Sequence, residues 1–361
     1  MKTRITDLFD INMPIIQAPM AGTATPALAA AVSNAGGLGS LGFGASNADQ
    51  ASESMQKLRQ ATNRPYNANF FVHECRDRDF AKEAAWLDTL KPYMDEFGAE
   101  TPMALDDIYK SFNADDDLFQ AVLDERPPIV SFHFGLPTQE RADALKGYGA
   151  TLISSVTNLP EAKAAAAAGM DAVVAQGFEA GGHRGTVEEP FDEGHVTTMA
   201  LVPLVVDAID IPVIAAGGIM NGNGIAAALA LGADAAQLGT AFISCVESAA
   251  PDSFRQFLLN DRALRTELTT VISGRPARAI VNRFVDELRD RADEMPGYPM
   301  TYDGGKALGA AAAAKGSPEF APMWAGQAAG LSRAMDTMNL MKVLEQELEQ
   351  AVAELRAKIK G

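Results

Sequence analysis

The chain has 361 residues, 47% of them hydrophobic, enough to bury one large core, and α/β barrels routinely exceed the usual domain length. A net charge of −17 argues against nucleic acid or an anionic membrane surface as partner, because the long-range field repels both, while small anions stay open since salt screens surface charge beyond about 8 Å. The N-terminus has no apolar leader, no run approaches the ~18 apolar residues of a membrane span, and Cys75 and Cys245 fit neither a disulfide framework nor a zinc motif, so a cytoplasmic protein is expected.

Eight short apolar runs, each followed by a glycine-rich or polar turn and usually by an alanine-rich helical segment, are predicted as strands: 14–19, 37–41, 66–72, 129–134, 151–156, 172–176, 213–216 and 235–238. Gly36, Gly149, Gly169 and Gly232 stand where connecting helices should stop, since a glycine in the left-handed conformation ends a helix and turns the chain into the next strand. Val173-Val174-Ala175 and Val213-Ile214-Ala215 are continuously apolar, as strands covered on both faces should be. Strand and helix repeated eight times over about 230 residues match a closed (β/α)8 TIM barrel, for which ~250 is typical, with chemistry at the C-terminal strand ends. A doubly wound open sheet is the competing architecture.

Two stretches exceed the minimal repeat. Residues 74–126, acidic and containing Trp86, Tyr93 and Tyr109, predict a helical insertion after the third strand that could form a lid. Residues 1–250 are then the barrel domain, and 251–361 a mainly helical C-terminal region packed on it. In the last helix Leu344, Leu348, Val352, Leu355 and Ile359 share one stripe, which fits packing on its own barrel better than a homodimer contact.

Gly37-Leu-Gly-Ser-Leu-Gly42 matches G-x-G-x-x-G but follows a helix and runs through a strand, the reverse of a dinucleotide fingerprint. Gly217 and Gly218 after the seventh strand, with Gly239 and Thr240 after the eighth, are placed to hold a single phosphate on bare amides; the bland alternative is a pair of tight turns. Asn69, Gln176 and Gln237 at other strand ends suit the polar edge of an isoalloxazine, beside a small-residue wall from Ala18 to Gly22. The loop Gln176-Gly-Phe-Glu-Ala-Gly-Gly-His-Arg-Gly185 combines four glycines with His183, so its backbone should approach a ligand closely beside a titratable group. Arg184 could reach the phosphate, pair with Glu179 or be solvated. His73, His133 and His183 all fall near strand ends, which invites a metal, but no His-x-His follows the first strand and no aspartate the eighth. A metallohydrolase or a phosphate-ligand binding barrel is the non-flavin alternative.

Taken together, Gln17-Ala-Pro-Met-Ala-Gly22, the 176–185 loop, Ala215-Ala-Gly-Gly-Ile219 and Gln237-Leu-Gly-Thr240 resemble the nitronate monooxygenases, formerly called 2-nitropropane dioxygenases, over nearly the whole chain. Ser131-Phe-His-Phe-Gly-Leu-Pro137 and Gly297-Tyr-Pro-Met-Thr-Tyr-Asp-Gly-Gly-Lys306 are similar to the class I branch. The resemblance implies FMN-dependent oxidation of alkyl nitronates, such as propionate 3-nitronate, by dioxygen through a flavin semiquinone, detoxifying nitro compounds. His183 would be catalytic. Ala21, Gly22, Asn69, Gln176, Gly181, Gly182, Gly217, Gly218, Gln237, Leu238, Gly239 and Thr240 would contact FMN, and His133, Tyr109, Tyr298, Tyr302 and Lys306 would line the substrate pocket. A nitronate is an anion, so Lys306, an imidazolium at His183 and phenol hydroxyls are expected to receive it; a histidine titrating near neutrality could also take the α-proton of a neutral nitroalkane. An FMN-dependent NADH:quinone or enoyl-thioester reductase on the same barrel is the alternative enzyme.

Overall fold

The computed structural model describes residues 1–75, 77–187 and 195–360. The strands, in chain order, are β1 Ile15–Gln17, β2 Gly39–Gly42, β3 Tyr66–Phe71, β4 Ile129–His133, β5 Thr151–Val156, β6 Ala172–Gln176, β7 Gly182–His183, β8 Val213–Ala216, β9 Ala235–Leu238, β10 Thr266–Thr269 and β11 Ala277–Ile280. Eight of them form one parallel sheet in the order β1, β9, β8, β6, β5, β4, β3, β2, and a bridge between Ile16 and Leu38 joins its two ends. The sheet is therefore a closed barrel, the (β/α)8 architecture expected, and not an open doubly wound sheet. Each expected strand is present, with ends shifted by at most a few residues.

Alternating side chains divide the burial. Ile16, Ile129, Ile153, Val174 and Ile214 share a cluster with Ile5 and Phe9 of the N-terminal helix Arg4–Phe9, which closes one end of the barrel. Ile15, Phe70, Phe132 and Val173 face the surrounding helices in a second, larger cluster. Strands covered on both sides have no polar face to show, and every residue of β6 and β8 is buried. The four glycines expected to end helices all have positive φ, between +78° and +98°.

The G-x-G-x-x-G segment has a packing explanation. A Cβ on Gly39 would lie 1.9 Å from the Ala29 carbonyl oxygen, because helix Pro26–Asn34 crosses β2 backbone against backbone. No flexible side chain can yield there. Gly39→Ala is expected to cost roughly 3 kcal/mol, the upper part of the range for overpacked cores, measured as a shifted denaturant midpoint. Gly147→Ala, whose Cβ would meet nothing within 4 Å, serves as the neutral control.

Residues 74–126 contain two helices with different attachments. Asp116–Glu125 buries Leu118 and Val122 on the barrel. Phe80–Glu96 instead places Trp86, Leu90 and Met94 in a separate core with Phe284, Leu308 and Phe320 from the C-terminal region. The final helix, Thr337–Lys360, buries Leu340, Met341, Leu344 and Leu348 in the barrel cluster, and Glu347 accepts from the Gly222 amide at 2.9 Å. Leu355 and Ile359 stay exposed, at 51% and 77%, so only the first half of the expected stripe is covered. Among the described residues, no helix is long and apolar enough to cross a membrane.

Candidate active site

Above the C-terminal end of β6, the chain folds back as β7 and pairs antiparallel with β11, His183 opposite Ala277 and Gly182 opposite Arg278, while β10 pairs with the other edge of β11. This small sheet stands on the barrel mouth and brings residues near position 275 over a strand that ends at 176. Gln176 ties the two parts together: its Nε2 donates to the His183 carbonyl at 3.0 Å, and its Oε1 accepts from the Gly185 amide at 2.8 Å. The amide expected to meet a cofactor thus holds the histidine loop.

Three of the loop glycines have a reason of their own. Side chains on them would meet the protein's own atoms: Thr198 Oγ1 at 2.0 Å from Gly177, the Gly326 amide at 2.5 Å from Gly181, and Ser155 Oγ at 2.7 Å from Gly185. The bareness of this loop admits neighbouring chain. Arg184, left open above, is buried and sits 5.8 Å from the Phe178 ring, and its Nη1 has no hydrogen-bond partner among the described residues. Glu179 is engaged elsewhere, accepting from the Thr198 amide at 2.8 Å. The acidic stretch 188–194 that follows lies outside the described residues.

The three strand-end histidines do converge, around one aromatic ring. Phe134 has its centroid 6.4 Å from His73, 4.5 Å from His133 and 5.7 Å from His183. Its backbone has φ of +72°, a conformation that costs a bulky residue on the order of 1–2 kcal/mol and persists only where the surroundings enforce it. Arg275, itself buried, lies 4.2 Å above the same ring. His133 Nε2 faces the His183 carbonyl at 3.2 Å and its Nδ1 faces Ser155 Oγ at 2.6 Å. Among the described residues, no group of three or more His, Cys, Asp or Glu is placed to hold a metal ion.

His183 lies in an aromatic cage, with ring centroids at 5.1 Å for Trp324 and 5.9 Å for both Tyr298 and Tyr302. Tyr109 stacks at 5.9 Å from Tyr298, and the Lys306 ammonium sits 4.7 Å from Tyr109 and 5.3 Å from Tyr302. All five residues expected at the substrate pocket are therefore gathered beside His183.

Their electrostatics correct one expectation. Burial, then the neighbouring His133 and Arg275, push the His183 pKa down to about 3, and burial brings His133 and His73 to about 4. His133 and His183 are half-buried and lie against the Phe134 and Trp324 rings. His183 is a neutral imidazole near pH 7, and not the imidazolium expected from the sequence. Fixed positive charge comes instead from Arg275 and Lys306. Burial raises the pKa of all three tyrosines, which remain protonated donors, and Tyr302 Oη accepts from Trp324 Nε1 at 3.3 Å.

The glycine turns follow β8 and β9, Gly217 and Gly218 lying against the 177–180 part of the histidine loop. Gly217 and Gly218 have φ of +117° and +71°, a consecutive left-handed pair that only glycine adopts without strain. The short helix Thr240–Ile243 begins directly after β9, and its first amides lack intrahelical acceptors. The Thr240 hydroxyl accepts from the Gly326 amide at 3.0 Å, while the carbonyl of Leu238 accepts from the Ala18 amide at 2.8 Å and Gly239 follows beside the Ala18 side chain. Asn69 Nδ2 donates to Ser131 Oγ at 2.9 Å; the Gln237 side chain has no hydrogen-bond partner among the described residues. The Ala21-Gly22 turn leaves open space, since a Cβ on Gly22 would meet nothing within 4 Å. Open amides on one side, a free side-chain amide and a small-residue wall could hold a phosphorylated planar ligand.

Sequence reasoning missed Ser273, Arg275, Trp324 and Ser155, and met Phe134 only inside the Ser131–Pro137 motif, without a role. Nothing marks them locally: Ser273 meets His183 only because β11 pairs with β7 across some ninety intervening positions.

A family model for nitronate monooxygenase matches residues 2–347. A nitronate monooxygenase from Paraburkholderia phytofirmans is 51% identical over 356 residues, covering 98% of this chain and 97% of the relative. Another from Pseudomonas aeruginosa is 49% identical, covering 96% and 99%. The crystal structure of a nitroalkane oxidase from Streptomyces ansochromogenes superimposes with a TM-score of 0.89 at 40% identity, covering 97% of this chain and 99% of that one. With the family model spanning residues 2–347 and half of all residues shared with such relatives, the chain belongs to the nitronate monooxygenase family.

Proposed function

We propose that the protein oxidises alkyl nitronates, such as propionate 3-nitronate, with dioxygen and with FMN as cofactor. The observation that carries this reading is the cage in which neutral His183, protonated Tyr298 and Tyr302, and the cation of Lys306 surround one space at the barrel mouth. FMN would lie with its phosphate toward Gly217, Gly218 and Thr240, its ring edge toward Asn69 and Gln237, and one face against Ala21 and Gly22. When bound, it supplies the electron acceptor between nitronate and dioxygen. The chain's own residues receive and orient the substrate: Lys306 attracts the anion, the phenols donate to its oxygens, and the rings exclude water.

Lys306 makes this reading sensitive to pH. Burial lowers its pKa from 10.5, so nitronate binding should weaken as pH rises through that lowered value. Lys306→Met should raise KM for nitronate roughly tenfold or more with a smaller change in kcat, because a ~4 Å charge contact at an effective dielectric of ~20 contributes several kcal/mol before desolvation. The decisive experiment is a visible spectrum of the purified protein followed by oxygen uptake with propionate 3-nitronate. Flavin absorbance with uptake is expected. Protein without yellow cofactor, or flavoprotein without uptake, overturns the proposal, and rapid anaerobic bleaching by NADH would indicate a reductase instead.

A further inference from the structure

Ser273 is fully buried, and its hydroxyl stands between partners of different kinds. Its Oγ lies 2.9 Å from His183 Nε2 and 3.2 Å from the Arg275 carbonyl oxygen, and the Arg275 amide approaches at 3.4 Å. Directed to the Arg275 carbonyl, which can only accept, the single hydroxyl proton leaves Oγ as an acceptor; directed to Nε2, it would leave that carbonyl without this donor. The atom able to donate to it from the other side is His183 Nε2. At the far side of the ring, His183 Nδ1 has no hydrogen-bond partner among the described residues.

We infer that Ser273 is a positioning residue that holds His183 as the Nε2–H tautomer and so presents the bare Nδ1 lone pair to the substrate. The neighbouring histidine sharpens the contrast. His133 also carries its proton on Nε2, which faces the accept-only His183 carbonyl, so its neutral Nδ1 must accept, and the Ser155 hydroxyl covers it at 2.6 Å in preference to the Phe132 carbonyl at 3.3 Å. Of this adjoining pair, His183 alone offers an uncovered acceptor. Locking a tautomer through the opposite nitrogen is how a second hydrogen bond selects which imidazole nitrogen reacts.

Its consequence for catalysis rests on the nitronate reading above. With a neutral nitroalkane, the α-carbon's proton passes to Nδ1, the C–H electron pair becomes the C=N bond of the nitronate, and negative charge moves onto the nitro oxygens. His183 becomes an imidazolium that keeps its Nε2–H bond to Ser273 and faces the new anion. A substrate supplied as preformed nitronate skips this step.

The test is nitrogen-15 NMR of the histidine-labelled holoenzyme, where four histidines give a readable spectrum. His183 should show a protonated Nε2 and an unprotonated Nδ1 in the native protein. Ser273→Ala should mix the two tautomers, and Ser273→Thr, which keeps a hydroxyl, should restore one. In oxygen-uptake assays Ser273→Ala should lower kcat with nitroethane roughly tenfold, a part of the 10²–10⁴ that a positioned base contributes, and change kcat/KM with ethyl nitronate by no more than about threefold. A protonated Nδ1 in the native protein, a single unchanged tautomer in Ser273→Ala, or equal losses on both substrates would overturn the inference. The native spectrum decides even if a variant does not fold. If neither substrate is oxidised while the native spectrum shows Nε2–H, the nitronate reading fails and the tautomer assignment stands.

Discussion

Replacing His183 with Asn is expected to lower turnover of a neutral nitroalkane by roughly 10²–10³-fold, within the range that general base catalysis contributes. Turnover of a preformed nitronate should fall by no more than about tenfold. Asparagine keeps a polar amide near the position of the native Nδ1, falls short of Ser273 Oγ, which lies 2.9 Å from the native Nε2, and cannot take up a proton. The split between substrates is therefore the informative quantity. It is measured by oxygen consumption with nitroethane and with ethyl nitronate at matched flavin content. Equal losses would show that His183 acts by shaping and charging the pocket, with proton transfer left to solvent or another group. Burial keeps the ring unprotonated and so able to accept, but a pKa lowered to about 3 makes it a weak base, so the transfer requires the nitronate charge developing beside the ring to raise that pKa toward neutrality.

A second large effect concerns stability in mild acid. His73, His133 and His183 are held at about 4, 4 and 3 in the folded protein, against 6.5 for a solvated histidine. Above pH 6.5 all three are neutral whether folded or unfolded, and proton binding favours neither state. As pH falls below 6.5 the unfolded chain takes up protons that the folded chain refuses, so stability present above 6.5 is lost progressively toward pH 4. Each group should cost roughly 2 kcal/mol between pH 7 and pH 5, and the set together is a large share of the 5–15 kcal/mol typical of folded proteins. Urea denaturation at pH 8, 7, 6 and 5 reads this directly. His73→Gln, which removes one titrating group, should flatten the slope; a slope unchanged by that substitution would show that the pH dependence comes from carboxylates.

The same burial explains why the cage had to be corrected at His183 and not at its tyrosines. From the chain, a histidine in a glycine-rich loop reads as mobile and solvated, with a pKa near neutrality. In the fold, Trp324, Tyr298, Tyr302 and Phe134 surround it, and desolvation penalises the charged form. For the tyrosines, whose charged form is the phenolate, the same penalty preserves the donor already expected.

The glycines show a related limit. Gly217 and Gly218, read as a phosphate turn, have consecutive positive φ, and a Cβ on them would meet Thr198 Oγ1 at 2.8 Å and Glu179 Cβ at 3.2 Å, so they too lie against neighbouring chain. Gly177, Gly181 and Gly185, read as room for a ligand, make room for Thr198, Gly326 and Ser155. Composition says only that a Cβ is intolerable at such a place. What would collide with it is settled by the packing of segments distant in sequence.

The sequence by itself determined the barrel, because an eightfold repeat of apolar run and helix is local information: each strand's hydrophobic content and each helix-ending glycine act over a few residues. It also determined the positions of His183, His133, Tyr109, Tyr298, Tyr302 and Lys306 as residues of interest. Only the tertiary structure decided how they work together. The pairing of β7 with β11 brings Ser273 and Arg275 over the mouth, and the C-terminal core sets Trp324 against the imidazole. Protonation state and tautomer follow from those non-local contacts, since desolvation and hydrogen bonding depend on what surrounds a group in space and not on its neighbours along the chain.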